Sequence, residues 1–368
     1  MSRSEEALRI PRGLRAQLSQ LYPGSRPIGL FPLGPDTGDD IGVTSKGAGY
    51  GVPVRIRLAL PSGEELDLVW HVAGSDDFGH DRRSDRAQEL LLAFDTSRQV
   101  PCHARAVDVG AIRQDGRLLS LRDAGELYLL TRWAPGRPYA EDLRRIATDG
   151  AGEEDVRRCD ALAAFLVELH SERRARPAGY RRAVRDLIGH GEGILGIVDG
   201  YGSDVPGAPP DRLRAIERRA IDWRWRLRDR TARLRRTHGD FHPFNILFDE
   251  SGRLTLIDAS RGGQSDPADD VTALALNYVF FALDRPDAWR RGLAGLWSRF
   301  WATYLEGSGD TELLEVVAPF LAWRALVMAS PAFYPAMTAE DRHRLLGLAE
   351  EALAADRFEL ASVERLFR

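Results

Sequence analysis

Three oxygen-bearing side chains lie close together in the sequence between Thr237 and Ser260, which reads THGDFHPFNILFDESGRLTLIDAS. Asp240 is followed by Asn245, and Asp258 comes after a second short apolar segment. A carboxylate and an amide oxygen that converge are suited to Mg²⁺, which also takes ligands from substrate phosphates. Asp240 is suited to accept a proton from, or to orient, a hydroxyl group that attacks a phosphate. These residue types at this spacing indicate phosphoryl transfer.

The same stretch predicts the element that brings two of these residues together. The segments NILF and LTLID flank the turn sequence DESG and predict a β-hairpin. Such a hairpin places Asn245 at the start of one strand beside Asp258 at the end of the other. The alternative is a polar cluster that only braces the hairpin.

Several neighbouring polar residues are expected to support the loop. We expect His238 to hold it by hydrogen bonds, whereas His242 either approaches the substrate or supports the residues that do. Asp266 and Asp270 lie in the first turn of a predicted helix that starts with Pro267. Acidic residues are favoured there by the helix dipole whatever the function.

The first third of the chain is rich in strand-forming residues. Two strands at 52–60 and 66–72 flank the turn sequence PSGEE and predict a hairpin. Apolar residues at helical spacing predict a helix over 82–94. Two further strands are predicted at 103–112 (HARAVDVGAI) and 126–133 (ELYLLTRW).

The rest of the chain is mainly helical, and the segment APGRPY marks the change with Pro and Gly. We therefore predict an α+β fold with a first lobe over 1–133, a hinge over 134–138 and a second lobe over 139–368. The first lobe is small and β-rich, with one helix in addition to an N-terminal helix. The second lobe is larger and helical, and it contains the hairpin.

The HGD triplet that ends at Asp240, together with Asn245, Asp258 and the segment DPADDV (266–271), resembles the aminoglycoside phosphotransferase/choline kinase-like family of small-molecule kinases. The spacing also resembles the catalytic loop and the following metal-binding Asp of protein kinases. The resemblance covers most of 25–300. It implies a protein-kinase-like two-lobed fold that uses ATP and Mg²⁺. By this analogy, Asp240 is the catalytic base, and Asn245 and Asp258 are the metal ligands.

The resemblance also suggests nucleotide contacts in the first lobe. Glu89 lies in the predicted helix, about where the family carries the glutamate that pairs with a strand lysine; a solvated helix acid is the alternative. The hinge backbone would hold adenine between Leu130 and Trp133. The position of the strand lysine is occupied by His71, and a neutral imidazole is a poor substitute for a permanent charge.

A glycine-rich segment, SKGAGYGVPV, precedes the second predicted strand. Gly47, Gly49 and Gly51 would let backbone N–H groups approach phosphates, although a plain turn explains them too. Lys46, the only lysine in the chain, comes directly before them. With-no-lysine protein kinases take the missing cation from this region, so we hypothesise that Lys46 replaces the strand lysine. The alternative is that the chain strongly favours arginine over lysine and that Lys46 has remained by chance.

Composition and net charge argue against several other classes of function. A net charge of −4 argues against nucleic acid as the main partner. No secretory signal or membrane-spanning run is visible, so we expect a cytoplasmic monomer or homodimer. The sequence predicts an ATP- and Mg²⁺-dependent phosphotransferase that acts on a hydroxyl group of a small molecule. A pseudokinase or nucleotide-sensing module is the alternative, because the strand lysine is missing.

Overall fold

A computed structural model describes residues 10–33, 53–77, 79–259 and 261–368 of the chain. The chain divides into two compact units between Thr131 and Arg132. The predicted lobe and hinge boundaries at 133 and 138 stay predictions. The two units are described separately below.

A three-stranded antiparallel sheet is the main feature of the first unit. Its strands are β1 (Arg26–Pro32), β2 (Val54–Ala59) and β3 (Glu65–Trp70), in that order across the sheet. The turn between β2 and β3 passes through Gly63, whose φ of 88° lies in the left-handed region that favours glycine. The hairpin predicted from the two strand-like runs is therefore confirmed.

Two helices accompany this sheet. Helix α1 (Arg12–Leu21) and the sheet enclose a small apolar core. The buried members of this core are Ile10, Leu14, Leu18, Leu30, Ile56 and Leu58. Helix α2 (Arg83–Thr96) confirms the helix predicted over 82–94, but none of its residues is buried.

The two later strands predicted in the first unit are largely wrong. Only β4 (Gly110–Ile112) forms within 103–112, and it pairs with β5 (Leu118–Ser120), which lies between the two predicted strands. No strand forms over 126–133. A strand needs a neighbour for its backbone groups and its side chains, and strand propensity cannot supply one. The apolar residues from Leu127 to Leu130 are accordingly between 65% and 92% exposed.

The second unit is mainly helical. Its α-helices are α3 (Tyr139–Asp149), α4 (Glu153–Ser171), α5 (Pro177–Gly189), α6 (Ile194–Asp199), α7 (Pro210–Leu227), α8 (Ala268–Phe280), α9 (Pro286–Ala288), α10 (Ala294–Ser308), α11 (Leu313–Val316), α12 (Ala318–Ala329) and α13 (Ala339–Ala354). A π-helical segment (Trp289–Leu293) joins α9 to α10, and 3₁₀ segments lie at Thr231–Arg233 and Leu360–Phe367. The predicted α+β class is confirmed.

Helix α8 lies in the centre of the apolar core of the second unit. Its sequence is apolar on all sides rather than along one stripe, which is typical of a buried helix. Every residue from Val271 to Val279 is buried. The helix begins at Ala268, one residue after the predicted start, and Asp266 Oδ1 accepts a hydrogen bond from the Ala268 N–H at 3.0 Å. None of the described helices combines the length and the apolar composition needed to cross a membrane.

Small strands complete the second unit. One sheet has the order β6 (Arg137–Pro138), β8 (Ile246–Phe248) and β9 (Leu254–Leu256). A second pair joins β7 (Arg235–Arg236) to β10 (Gln264–Ser265). The chain segments around β8, β9 and the start of α8 carry the predicted site.

Candidate active site

The hairpin predicted from NILF and LTLID is present as β8 and β9. The two strands are antiparallel, with Ile246 opposite Leu256. The Ile257 N–H also donates to the carbonyl oxygen of Asn245 at 3.0 Å. Asn245 therefore lies at the base of one strand, and Asp258 follows directly after its backbone partner on the other strand.

Asp258 adopts an uncommon backbone conformation. Its φ is 58°, in the left-handed region where residues other than glycine are rare. Its side chain is exposed. Residues held in such conformations cluster at ligand sites, because the surrounding structure must maintain them at some cost. The carboxylate is free to contact a ligand at the end of the hairpin.

Asp240, in contrast, is held on both carboxylate oxygens. Oδ1 accepts from Arg324 Nη1 at 2.7 Å, and Oδ2 accepts from Asn245 Nδ2 at 3.2 Å. His242 Nε2 lies 3.3 Å from Oδ2. Because His242 Nδ1 accepts from the Phe244 N–H at 3.2 Å, its Nε2 carries the hydrogen that faces Asp240.

These contacts control the charge of Asp240. Burial raises its pKa, but the hydrogen bond from His242 and the positive charge of Arg324 lower it by more. The pKa of Asp240 therefore lies well below its ordinary value. The side chain is a carboxylate at neutral pH, and it is 13% exposed.

Asn245 meets the requirements of a cation ligand. Its Nδ2 donates to the carbonyl oxygen of Asp240 at 3.1 Å as well as to Oδ2, which leaves its side-chain oxygen for another partner. Within the described parts of the chain, no cluster of three or more His, Cys, Asp or Glu side chains could hold a metal ion. A cation held by Asn245 and Asp258 would need further oxygens from a bound molecule. Mg²⁺ commonly takes them from phosphates.

The loop that carries Asp240 is supported by Asp270 of helix α8. Asp270 is fully buried, and it accepts from the His238 N–H at 2.7 Å and from the Gly239 N–H at 2.8 Å. His170 Nε2 lies 3.1 Å from the same carboxylate. Gly239 has a φ of 85°, and a Cβ there would lie 3.3 Å from the carbonyl oxygen of Gly262. The HGD sequence thus needs both the glycine and the buried acid.

Two further residues support the loop and the helix start. His238 Nδ1 accepts from the Asp240 N–H at 3.3 Å, which is the expected holding role. Asp266 accepts from Arg233 Nε at 2.7 Å and from the Tyr180 hydroxyl at 2.9 Å. Asp266 therefore fixes the start of α8 rather than acting at the loop.

Arg324 and Asp269 also contribute to the site, although no role was predicted for either residue from the sequence. Arg324 on α12 is buried, and its Nη2 donates to Asp269 Oδ1 at 3.2 Å while its Nη1 contacts Asp240. Arg324 is 84 residues away from Asp240, so no local motif connects them. The available signal was a single charged residue within the apolar sequence APFLAWRALVMA. Burial raises the pKa of Asp269 to about 6, although the charge of Arg324 opposes this shift.

The residues predicted to bind nucleotide are less well defined. Glu89 Oε2 lies 3.5 Å from His80 Nε2, and His71 is half-buried just after β3. Leu130 and Trp133 are 87% and 88% exposed in segments without regular structure. The remaining four, Lys46, Gly47, Gly49 and Gly51, lie outside the described residues. Their assignment to a nucleotide stays a prediction.

Comparison with known families decides the class of protein. The model of the phosphotransferase enzyme family (APH) matches residues 78–308, which is more than half of the chain. The chain belongs to the phosphotransferase enzyme family. The predicted resemblance is confirmed, and so is the phosphotransferase class at the level of the family. The matched range contains the Asp240 loop, the hairpin and the start of α8.

Several solved kinases are weakly similar to this family member. A glucosamine kinase in complex with glucosamine, ADP and inorganic phosphate is 18% identical with a TM-score of 0.40, over 59% of this chain and 58% of that chain. The choline kinase from Cryptosporidium parvum Iowa II is 10% identical with a TM-score of 0.39, over 93% of this chain and 94% of that chain. An amicoumacin kinase in complex with AMP-PNP, Ca²⁺ and Ami is 15% identical with a TM-score of 0.40, over 87% and 91%.

The phosphotransferase chain thus spans less than two thirds of the glucosamine kinase that it matches. Among curated proteins, none matches it significantly. Similarities this weak do not identify an acceptor.

Proposed function

We propose that this protein transfers the γ-phosphoryl group of ATP to a hydroxyl group of a small molecule in the presence of Mg²⁺. The observation that carries the proposal is the arrangement at the hairpin. Asp240 is a half-buried carboxylate hydrogen-bonded to Asn245, and the exposed Asp258 lies at the end of the neighbouring strand. Family membership supports the same class of reaction.

In this proposal, the side chains divide into two groups. Asn245 and Asp258 would hold Mg²⁺, which neutralises the charge of the phosphates when it is bound with ATP. Asp240 accepts the hydrogen bond of the acceptor hydroxyl and orients it. The proposed nucleotide contacts are the glycine-rich segment, Lys46, His71, Glu89 and the backbone between Leu130 and Trp133.

The low pKa of Asp240 fits this role. The carboxylate is present at neutral pH, so it can accept the proton of the hydroxyl as the new O–P bond forms. The bond between the γ-phosphorus and the oxygen shared with the β-phosphate then breaks, and ADP leaves with its electron pair. Phosphoryl transfer relies on positioning and charge stabilisation more than on a strong base. A well-held, weakly basic carboxylate is therefore sufficient.

The proposal is tested by acceptor-dependent release of ADP. Purified protein is supplied with ATP and Mg²⁺ and with a panel of hydroxylated compounds: aminoglycosides, choline-type alcohols, sugars and amino-acid alcohols. Asp240→Asn serves as the matched background control. We expect at least one acceptor class to stimulate ADP release, and we expect Asp240→Asn to lower that stimulated rate by about 10²- to 10⁴-fold.

The pseudokinase alternative, suggested by His71 in place of the strand lysine, predicts a different result. Nucleotide would bind, but no acceptor would raise ADP release above the level of Asp240→Asn. That outcome across the whole panel would contradict the proposed transfer.

A further inference from the structure

Arg324 is a charged residue in apolar surroundings. It is the single charged residue of helix α12, and its side chain is only 6% exposed among apolar neighbours. A buried guanidinium needs partners for its N–H groups, because loss of hydration is costly. Nη1 and Nη2 of Arg324 find such partners at the loop that carries Asp240 and at the start of α8.

The contacts of Arg324 fix its orientation. Nη1 donates to Asp240 Oδ1 at 2.7 Å, and Nη2 donates to Asp269 Oδ1 at 3.2 Å. Nη2 also lies within hydrogen-bonding distance of the Gly239 carbonyl oxygen, at 3.3 Å. The guanidinium carbon lies 4.0 Å from the ring centre of Trp323, which supports one of its faces.

We propose that Arg324 is a positioning residue for the catalytic carboxylate, with Asp269 as its second anchor. This inference rests on the proposed transfer reaction. Asn245 and His242 hold Oδ2 of Asp240 from the loop side, and Arg324 holds Oδ1 from α12. Contacts on both oxygens fix the plane of the carboxylate relative to the acceptor hydroxyl. Arg324 acts through Asp240 and does not itself touch the reacting atoms.

The side-chain chemistry suits arginine rather than lysine. A planar guanidinium presents several N–H groups in a fixed fork, so it can bind two carboxylates and a carbonyl oxygen at once. A lysine ammonium is a point charge that would favour one carboxylate over the other. Removal of the guanidinium would leave Asp240 and Asp269 without the cation that donates hydrogen bonds to both.

The test compares Arg324→Met, Arg324→Lys and Asp269→Asn with the wild type, using the acceptor that stimulates ADP release. We expect Arg324→Met to lower kcat by about 10²-fold, since displacement of a catalytic group by about 1 Å has effects of this size. The KM for ATP should stay within about twofold, because the nucleotide is bound by other residues in the proposed mechanism. Arg324→Lys should recover part of the loss, and Asp269→Asn should show a smaller loss.

Chemical rescue and a matched control separate positioning from stability. Added guanidinium ion at low concentration should restore activity to Arg324→Ala but not to Asp240→Asn. Arg212 is the control, because its side chain is 10% exposed and ion-paired with Glu350 at 2.8 Å away from the loop. Arg212→Met should lower the thermal midpoint and leave kcat unchanged. The thermal midpoint of each variant is measured. If Arg324→Met does not fold, Arg324→Lys and Asp269→Asn provide the test.

The results of these experiments distinguish a positioning role for Arg324 from a purely structural one, and they also test the proposed function. A folded Arg324→Met with the kcat of the wild type would overturn the positioning role while the proposed function stands. A fall in kcat that matches the unfolded fraction, with no rescue by guanidinium, would overturn it in favour of a purely structural role. A wild type that transfers no phosphoryl group to any acceptor would overturn the proposed function and this inference together.

Discussion

Helix α2 of the first unit and helix α8 of the second carry acidic residues in different environments. Helix α2 buries none of its residues, and its Glu89 is paired only loosely, at 3.5 Å from His80. Helix α8 is buried along most of its length, and its Asp270 accepts two backbone N–H groups of the catalytic loop. A functional loop is held rigidly where a buried helix supplies its hydrogen-bond acceptors.

The difference has a physical cause. A buried carboxylate must be fully paired, because unpaired polar groups in a core are costly. Burial therefore forces Asp270 into defined contacts. Glu89 is only half-buried, so part of its side chain can remain solvated and a fixed partner is not required. The comparison predicts a large loss of stability when Asp270 is substituted and a smaller one when Glu89 is substituted.

The largest expected effect is that of Asp270→Ala on stability. The change leaves the N–H groups of His238 and Gly239 buried without an acceptor, and each such loss costs about 1–3 kcal/mol. Urea unfolding should show a free energy of unfolding lower by several kcal/mol. Asp270→Asn keeps one oxygen acceptor and should lose less.

The matched control is Asp229→Ala, an 81% exposed aspartate whose ion pair with Arg181 contributes little. A result for Asp270→Ala within about 1 kcal/mol of this control, in the range of ordinary surface substitutions, would remove the contrast between the helices.

The second-largest effect is expected on ATP binding, when the residue predicted to supply a positive charge to the phosphates is substituted. If Lys46 binds the phosphates, Lys46→Ala should weaken ATP binding by roughly 10- to 100-fold, the size of a hydrogen bond to a charged group. Lys46→Arg should fall between the wild type and Lys46→Ala, because a planar guanidinium and a compact ammonium group bind phosphates with different geometry. Calorimetric titration of ATP with Mg²⁺ measures all three proteins beside His71→Ala. Unchanged binding in Lys46→Ala with a loss in His71→Ala would assign the phosphates to the histidine instead.

The smallest effect is a pH dependence of stability that arises from Asp269. Its pKa of about 6 in the folded state exceeds the ordinary 3.8, because burial disfavours the charged form. The folded state therefore binds more protons than the unfolded state between these values, and stability falls as the pH rises through this window. From about pH 7 to about pH 5, the wild type should gain on the order of 1 kcal/mol relative to Asp269→Asn. A constant difference between the two proteins across this range would contradict the assignment.

Local sequence was sufficient to predict part of the site. The hairpin, the HGD loop and the placement of Asn245 near Asp258 follow from residues within one short stretch, where turn chemistry and apolar spacing act directly. The contact between Arg324 and Asp240 depends on the packing of α12 against the rest of the unit, which no local pattern encodes. The strand predicted at 126–133 was wrong for a related reason, since strand-forming residues need a partner that the sequence alone does not specify.

In the proposed function, Asp258 binds the metal ion, whereas Asp240 orients the hydroxyl group of the acceptor. The most direct test is the calorimetric affinity for ATP, with and without Mg²⁺, of Asp240→Asn and Asp258→Ala beside the wild type. Asp240→Asn should bind ATP with Mg²⁺ within a few-fold of the wild type, because it removes no metal ligand, whereas Asp258→Ala should lose the Mg²⁺-dependent part of the affinity. An Asp258→Ala variant that keeps the full Mg²⁺-dependent affinity would contradict the account.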